Sequence, residues 1–136
     1  MIFVDTGAWY ALECPPDRNH RAATVFLKEL AKGRLGALVT TDYVLDETLT
    51  LLSLRFGGAT ATKFLAKIRD SESVQVVWIG EEAFWEAAKL MEERKDKRWS
   101  FTDCTSFVAM RNLSVESAFT FDENFRQAGF KRHPEP

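Results

Sequence analysis

Cysteine and histidine are nearly absent from this chain, with two of each in 136 residues. Cys14 and Cys104 are isolated, without CxxC spacing, and read as reduced thiols of a cytoplasmic protein rather than as a disulfide. His20 and His133 stand alone, which argues against a zinc centre built on His and Cys. No apolar run approaches the roughly 20 residues that span a bilayer, so no membrane role is expected. Positions 1–12 open without a basic stretch and include Asp5, so they do not read as a signal peptide. A strong charge of one sign is also missing: 18 Lys and Arg face 20 Asp and Glu, for a net charge of −2. Phosphate binders usually carry a basic excess, which weighs slightly against a nucleic-acid partner. Setting four acids aside as metal ligands reverses that balance, leaving a slightly basic remainder.

The hydrophobic content, 46%, is enough for a packed core, and the length fits one domain over residues 1–136. Met1 to Val4 is an apolar strand ending at Asp5-Thr6-Gly7. A short helix over 6–12 stops at Pro15-Pro16. Ala22, Phe26, Leu27 and Leu30 share one face of a helix over 18–32, which Gly33 ends. A second strand runs from Leu35 to Thr40. Thr41 or Asp42 can cap a helix over 43–56, ending at Gly57-Gly58, whose leucines surround it and predict burial on most sides. A helix over 59–70 and a strand over 74–79 follow. The helix over 81–94 has acids at its start and bases at its end. A helix over 102–112, a strand over 118–121 ending at Asp122, a helical turn over 123–128 and an edge strand near 130–132 complete the chain. Strands separated by helices predict an α/β three-layer sandwich, its central sheet mostly parallel, with about five strands and helices on both faces.

Ligands of such a sheet gather at strand carboxyl ends. Asp5 and Asp122 sit at two of these, Asp103 opens a helix, and Glu47 lies one turn into another. Asp103 also completes a capping box from Ser100, and Asp122 also suits a helix cap. Asp5, directly after an apolar strand, is harder to explain structurally. Glu47, in a helix expected to be buried, needs a partner, because an unpaired buried carboxylate is costly. No Lys or Arg lies between Arg34 and Arg55 to provide one. Asp46 is the alternative acid on that helix.

Four carboxylates in one crevice repel; two charges 5 Å apart cost roughly 3 kcal/mol at an effective dielectric near 20. A divalent cation turns that repulsion into affinity, and all-oxygen ligation selects Mg²⁺, with Mn²⁺ as a substitute. None of the four positions is His, Cys or Lys, so metal-activated water is the natural nucleophile for a phosphoryl centre. Thr6, Ser100 and Thr102 are placed to bond to ligands or waters around the ion.

The order Asp5-Thr6, Glu47 in an early helix, Thr102-Asp103 opening a later one, and Thr120–Phe130 (TFDENFRQAGF) resembles the PIN-domain nucleases, most of all the VapC-type toxins of toxin–antitoxin pairs. The resemblance spans essentially the whole chain. It implies an endoribonuclease with Asp5, Glu47, Asp103 and Asp122 as catalytic metal ligands, although family members vary at the position matching Asp122. It also implies an antitoxin partner and a homodimer. The alternatives are an RNA-processing or DNA-directed PIN nuclease with no toxin role, and a non-catalytic α/β module with an acidic site. A dehalogenase-like phosphatase would require a second Asp where Gly7 stands, and a receiver module would require paired acids after the first strand.

Arg94, Lys95, Lys97, Arg98 and Trp99 lead into the Ser100–Asp103 segment. They read either as RNA contacts, with Trp99 stacking on a base, or as a solvated helix end. Lys131-Arg132-His133 has the same two readings. Trp9, Tyr10 and Trp85 are expected in the core or a dimer interface, and Met91 and Met110 in the core.

Overall fold

The structure is a computed structural model that describes residues 1–33 and 36–136. Five parallel strands form one sheet in the order β3-β2-β1-β4-β5: β1 (Ile2–Val4), β2 (Leu38–Thr41), β3 (Val74–Val77), β4 (Ser117–Phe119) and β5 (Lys131–His133). The helices are α1 (Thr6–Glu13), α2 (His20–Leu30), α3 (Asp42–Phe56), α4 (Gly58–Asp70), α5 (Glu81–Glu93), α6 (Phe101–Asn112) and α7 (Asn124–Gln127). The order reverses at β1, with β2 and β3 on one side and β4 and β5 on the other. Right-handed crossovers in opposite directions then place helices on both faces. This is the expected architecture, and the sheet is parallel throughout the described residues. Leu35, expected to begin the second strand, lies outside them.

The central strand β1 is buried along its whole length. Phe26 packs edge-on against Phe119 at 4.8 Å, and Phe107 against Phe125 at 5.0 Å, so phenylalanines from helices and strands interlock through the core. Thr41 caps α3 by accepting the Val44 N–H at 3.1 Å. Gly57, at φ +94°, separates α3 from α4 with a backbone that side chains with a Cβ rarely adopt.

Three expectations about packing need correction. Helix α3 is not buried on most sides: Val44, Leu45, Thr48 and Leu52 face inward, whereas Leu51 and Leu54 are exposed. A leucine-rich helix with polar residues at alternate turns buries one face, and here α1, α4, α6 and β2 pack against α3 while Leu51 and Leu54 stay outside. Ala23, not Ala22, begins the buried face of α2. Met91 is exposed rather than in the core, because α5 buries only Ala87 fully; Trp85, 63% exposed, lies outside the core, whereas Trp9 and Met110 are in it as expected.

Candidate active site

The reversal of strand order at β1 opens a crevice between the carboxyl ends of β1 and β4, and the acids collect there. Asp5 follows β1 directly and is buried. Its N–H bonds to Phe119 O at 3.0 Å, fixing the end of β1 against the end of β4. Thr120, one residue past β4, donates its hydroxyl to Asp5 Oδ2 at 3.0 Å. Asp103 sits in the first turn of α6, buried, with Oδ2 accepting both the Ser100 N–H at 3.0 Å and the Asn124 amide at 3.1 Å. The same Asn124 amide reaches Asp122 Oδ2 at 3.4 Å, while Asp122 Oδ1 accepts the Asn124 N–H at 2.9 Å.

The electrostatics tie the set together. Burial first, and then the Asp103 charge, push the Asp5 carboxyl from its ordinary 3.8 up to about 7, with Asp122 adding to the effect; the Thr6 N–H and the Thr120 hydroxyl oppose it. Asp103 is also raised, chiefly by burial, with the Asp122 and Glu47 charges contributing. Burial and the adjacent Asp103 raise the Cys104 thiol to about 11, so it stays protonated and unreactive at neutral pH. Among the described residues no Lys or Arg forms an ion pair with Asp5, Glu47, Asp103 or Asp122.

Glu47 is half-buried and Asp46 exposed, so helix rotation turns Glu47 rather than Asp46 away from solvent. The buried-carboxylate argument for Glu47 therefore fails, and its nearness to Asp103 is what links it to the crevice. Asp122 lies beyond the strand end, on the turn leading to α7, because β4 stops at Phe119. The capping box at Ser100 and Asp103 is present in both directions, so capping and site membership coincide in one side chain. The Thr6 hydroxyl is buried with no partner among the described residues. No hydrogen bond of the Thr102 hydroxyl joins it to the acids among those residues.

Two residues here were not singled out from the sequence, Thr120 and Asn124. Both flank Asp122 at a spacing of two, which is the signal that would have found them.

The aromatic expectation at Trp99 is wrong. Its ring is 5% exposed, packs edge-on against Phe107 at 4.9 Å, and its indole N–H donates to Gln127 Oε1 at 3.3 Å. An aromatic residue just ahead of a core helix gains more from burial than from solvent, so Trp99 is unavailable to stack on a base. Arg94 lies over that ring at 5.2 Å and bonds to Asp96 at 3.3 Å, and Lys97 is 4.0 Å from Asp96. Lys95 and Arg98 are exposed.

The donors around the crevice are all oxygen, the chemistry of a hard divalent cation. Among the described residues no group of three or more Asp, Glu, His or Cys side chains is spaced to hold a metal ion as it stands. The compression of unpaired acids fits a divalent cation as well.

Comparison with known proteins agrees with this geometry. The PIN domain family matches residues 2–131. The 23S rRNA-specific endonuclease VapC20 of Mycobacterium tuberculosis is 36% identical over 130 residues, covering 96% of this chain and 95% of that protein. A VapC ribonuclease of Archaeoglobus fulgidus is 28% identical over 123 residues, 90% of this chain and 77% of its own length. The crystal structure of M. tuberculosis VapC20, a sarcin–ricin-loop-cleaving toxin, superposes with a TM-score of 0.85 at 35% identity over 96% of both chains. VapBC2 of Rickettsia felis, solved with a promoter DNA fragment, shares the fold at a TM-score of 0.71 and 14% identity, covering 98% of both chains. With acids converging on the β1–β4 crevice and a family match over nearly its full length, this chain belongs to the PIN-domain family.

Proposed function

We propose that this chain is a Mg²⁺-dependent endoribonuclease, acting in the cytoplasm as the toxin of a toxin–antitoxin pair. The observation that carries the reading is the buried Asp5 carboxyl pressed against Asp103 and Asp122 with, among the described residues, no cationic side chain paired to them. A divalent ion held there, Mg²⁺ or in its place Mn²⁺, would neutralise those acids and would supply Lewis-acid chemistry, polarising a phosphoryl group and acidifying a water.

Asp5 and Asp103 would be the principal holders of the ion, with Glu47 and Asp122 completing the acidic wall. Thr120 fixes the Asp5 carboxylate, and Asn124 fixes Asp103 and Asp122 through one amide. Ser100 orients Asp103 from its backbone side. The unpartnered Thr6 hydroxyl, with Thr102 at the rim, is available to waters of the ion. Hydrolysis breaks a P–O bond of the RNA and adds the elements of water across it.

Arg94, Lys95, Lys97 and Arg98, which precede the Ser100–Asp103 segment in the chain, hold RNA phosphates in this reading, with Lys95 and Arg98 the more accessible pair. The relative VapC20 is named for cleavage of 23S rRNA, which makes a structured RNA loop the first substrate to test. An antitoxin is the protein partner, as the VapBC2 neighbour suggests. A homodimer is supported by exposed apolar side chains: Leu54 at 82%, Trp78 at 75% and Trp85 at 63%.

Purified protein incubated with a panel of rRNA and tRNA is expected to cleave in Mg²⁺ or Mn²⁺ and to be silent in EDTA. Cleavage that persists in EDTA, or no cleavage of any RNA with either ion, would overturn the reading.

A further inference from the structure

We infer that the outer edge of β5 holds a second anion site, one that takes a backbone phosphate of the same RNA strand beside the cleaved position; the inference rests on the ribonuclease reading above. A cavity of about 460 Å³ runs along this edge, lined by Arg126, Phe130, Lys131, Arg132, His133 and Glu135. Its cations are two arginines and a lysine, set against the carboxylates of Glu135 and of Glu123 behind the arginines.

Only one turn separates the two sites. Asp122 and Asn124 face the acidic crevice, where the Asn124 amide bonds to Asp103 at 3.1 Å. Glu123, between them, turns the other way and accepts Arg132 Nη1 at 2.9 Å, with Arg126 Nη1 at 3.5 Å from its second oxygen. One carboxylate thus holds two guanidinium groups, and the three side chains together keep one positive charge. Arg132 Nε is buried and finds no acceptor among the described residues. The Arg132 side chain keeps 14% of its surface open, and a phosphate oxygen at that open edge of the guanidinium makes a charge-assisted bond.

The cavity is also fixed relative to the catalytic acids. Thr120 N donates to His133 O at 2.9 Å while its hydroxyl holds Asp5, so β5 and the first carboxylate share one anchor. An RNA strand leaving the crevice over the 122–124 turn therefore meets the cations of β5 next. Lys131 is tied only loosely, at 3.9 Å from the exposed Glu116, and remains available to a phosphate.

The double variant Arg126→Ala, Lys131→Ala removes two side chains that are 52% and 72% exposed, so folding is retained and is checked by melting temperature. Binding of a short fluorescein-labelled single-stranded RNA is read by anisotropy in EDTA across a salt series, with Lys63→Ala as control. The double variant is expected to bind about tenfold more weakly and to lose roughly 0.7 from the salt slope per lost phosphate contact, with the control unchanged. Wild-type affinity and slope in the double variant overturn the assignment. Retained RNA binding with lost binding of a polyglutamate peptide also overturns it, because the occupant is then an acidic protein segment. If the wild-type protein cleaves no RNA with any divalent ion but the double variant still loses the slope, the anion site stands and the ribonuclease reading falls.

Discussion

Thr120 and Asp5 are 115 residues apart in sequence, yet the Thr120 hydroxyl donates to the Asp5 carboxylate at 3.0 Å inside the core. The contact joins the ends of β4 and β1, the two parallel strands between which the strand order reverses. Asp5 is thereby held in one orientation although its charge is opposed by burial and by Asp103. A site of this kind stores repulsion that a cation releases.

Removing that hydroxyl tests the arrangement. Thr120→Val keeps the shape but leaves the Asp5 oxygen without its donor, and should destabilise the fold by about 1–2 kcal/mol. Calorimetric titration with Mn²⁺ should show several-fold weaker binding than wild type. Unchanged Mn²⁺ affinity would mean that Thr120 serves the fold alone.

Asp5→Asn and Asp103→Asn should each reduce RNA cleavage by about a thousandfold or more, since each removes a charge that holds the ion. Circular dichroism should show the fold intact. Near-wild-type turnover at saturating Mg²⁺ in either variant would exclude that residue as a primary ligand.

The metal-free protein should show the same repulsion as a pH dependence. The Asp5 carboxyl titrates near 7 when folded against 3.8 when unfolded, so its neutral form favours folding. That contribution is complete below the unfolded value and is lost as pH rises through about 7. Denaturant unfolding in EDTA should show stability falling by on the order of 2–4 kcal/mol from weakly acidic to weakly alkaline pH, a slope that Asp5→Asn flattens. Mg²⁺ should restore most of the loss at the alkaline end. A flat wild-type profile in EDTA would show that Asp5 is not strained.

Much of this was legible in the chain. Asp5 after Ile2-Phe3-Val4 needs no tertiary information, because an acid at the end of a buried strand in an alternating β/α pattern lands on the carboxyl edge. Asp103 was legible through its capping box, which also holds its carboxylate toward Asn124. The burial of α3 was not, because leucine count records hydrophobicity and not which face a neighbour covers; Leu51 and Leu54 remain outside. Trp99 was misread for a related reason: position beside Asp103 in sequence says nothing of which way a large ring turns, and Phe107 turns it inward. Asn124 escaped notice because an amide that bridges two carboxylates has no periodic signature.

The buried Trp99 gives a prediction of its own. Trp99→Ala should cost about 3–5 kcal/mol in stability, as expected for an aromatic removed from a packed core. Trp99→Phe should retain most of that packing and bind RNA as wild type does. Loss of RNA affinity in a stable Trp99→Phe protein would restore the stacking role that the buried ring contradicts.

The run from Arg94 to Arg98 divides into two pairs with different expected effects. Arg94 and Lys97 are drawn to Asp96, and Arg94 also covers the Trp99 ring, so their charge is partly committed within the chain. Lys95 and Arg98 are exposed and, among the described residues, form no ion pair. Lys95→Ala with Arg98→Ala should therefore weaken RNA binding uniformly across sequences and reduce the salt slope by roughly 0.7 for each phosphate released. Arg94→Ala with Lys97→Ala should change the slope less but lower the melting temperature, since it uncovers Trp99 and frees Asp96. The two effects separate cleanly when binding in a salt series is measured beside thermal unfolding. Should the Lys95, Arg98 variant keep the wild-type slope, the run is a solvated helix end, and the strand must reach Asp103 by another path.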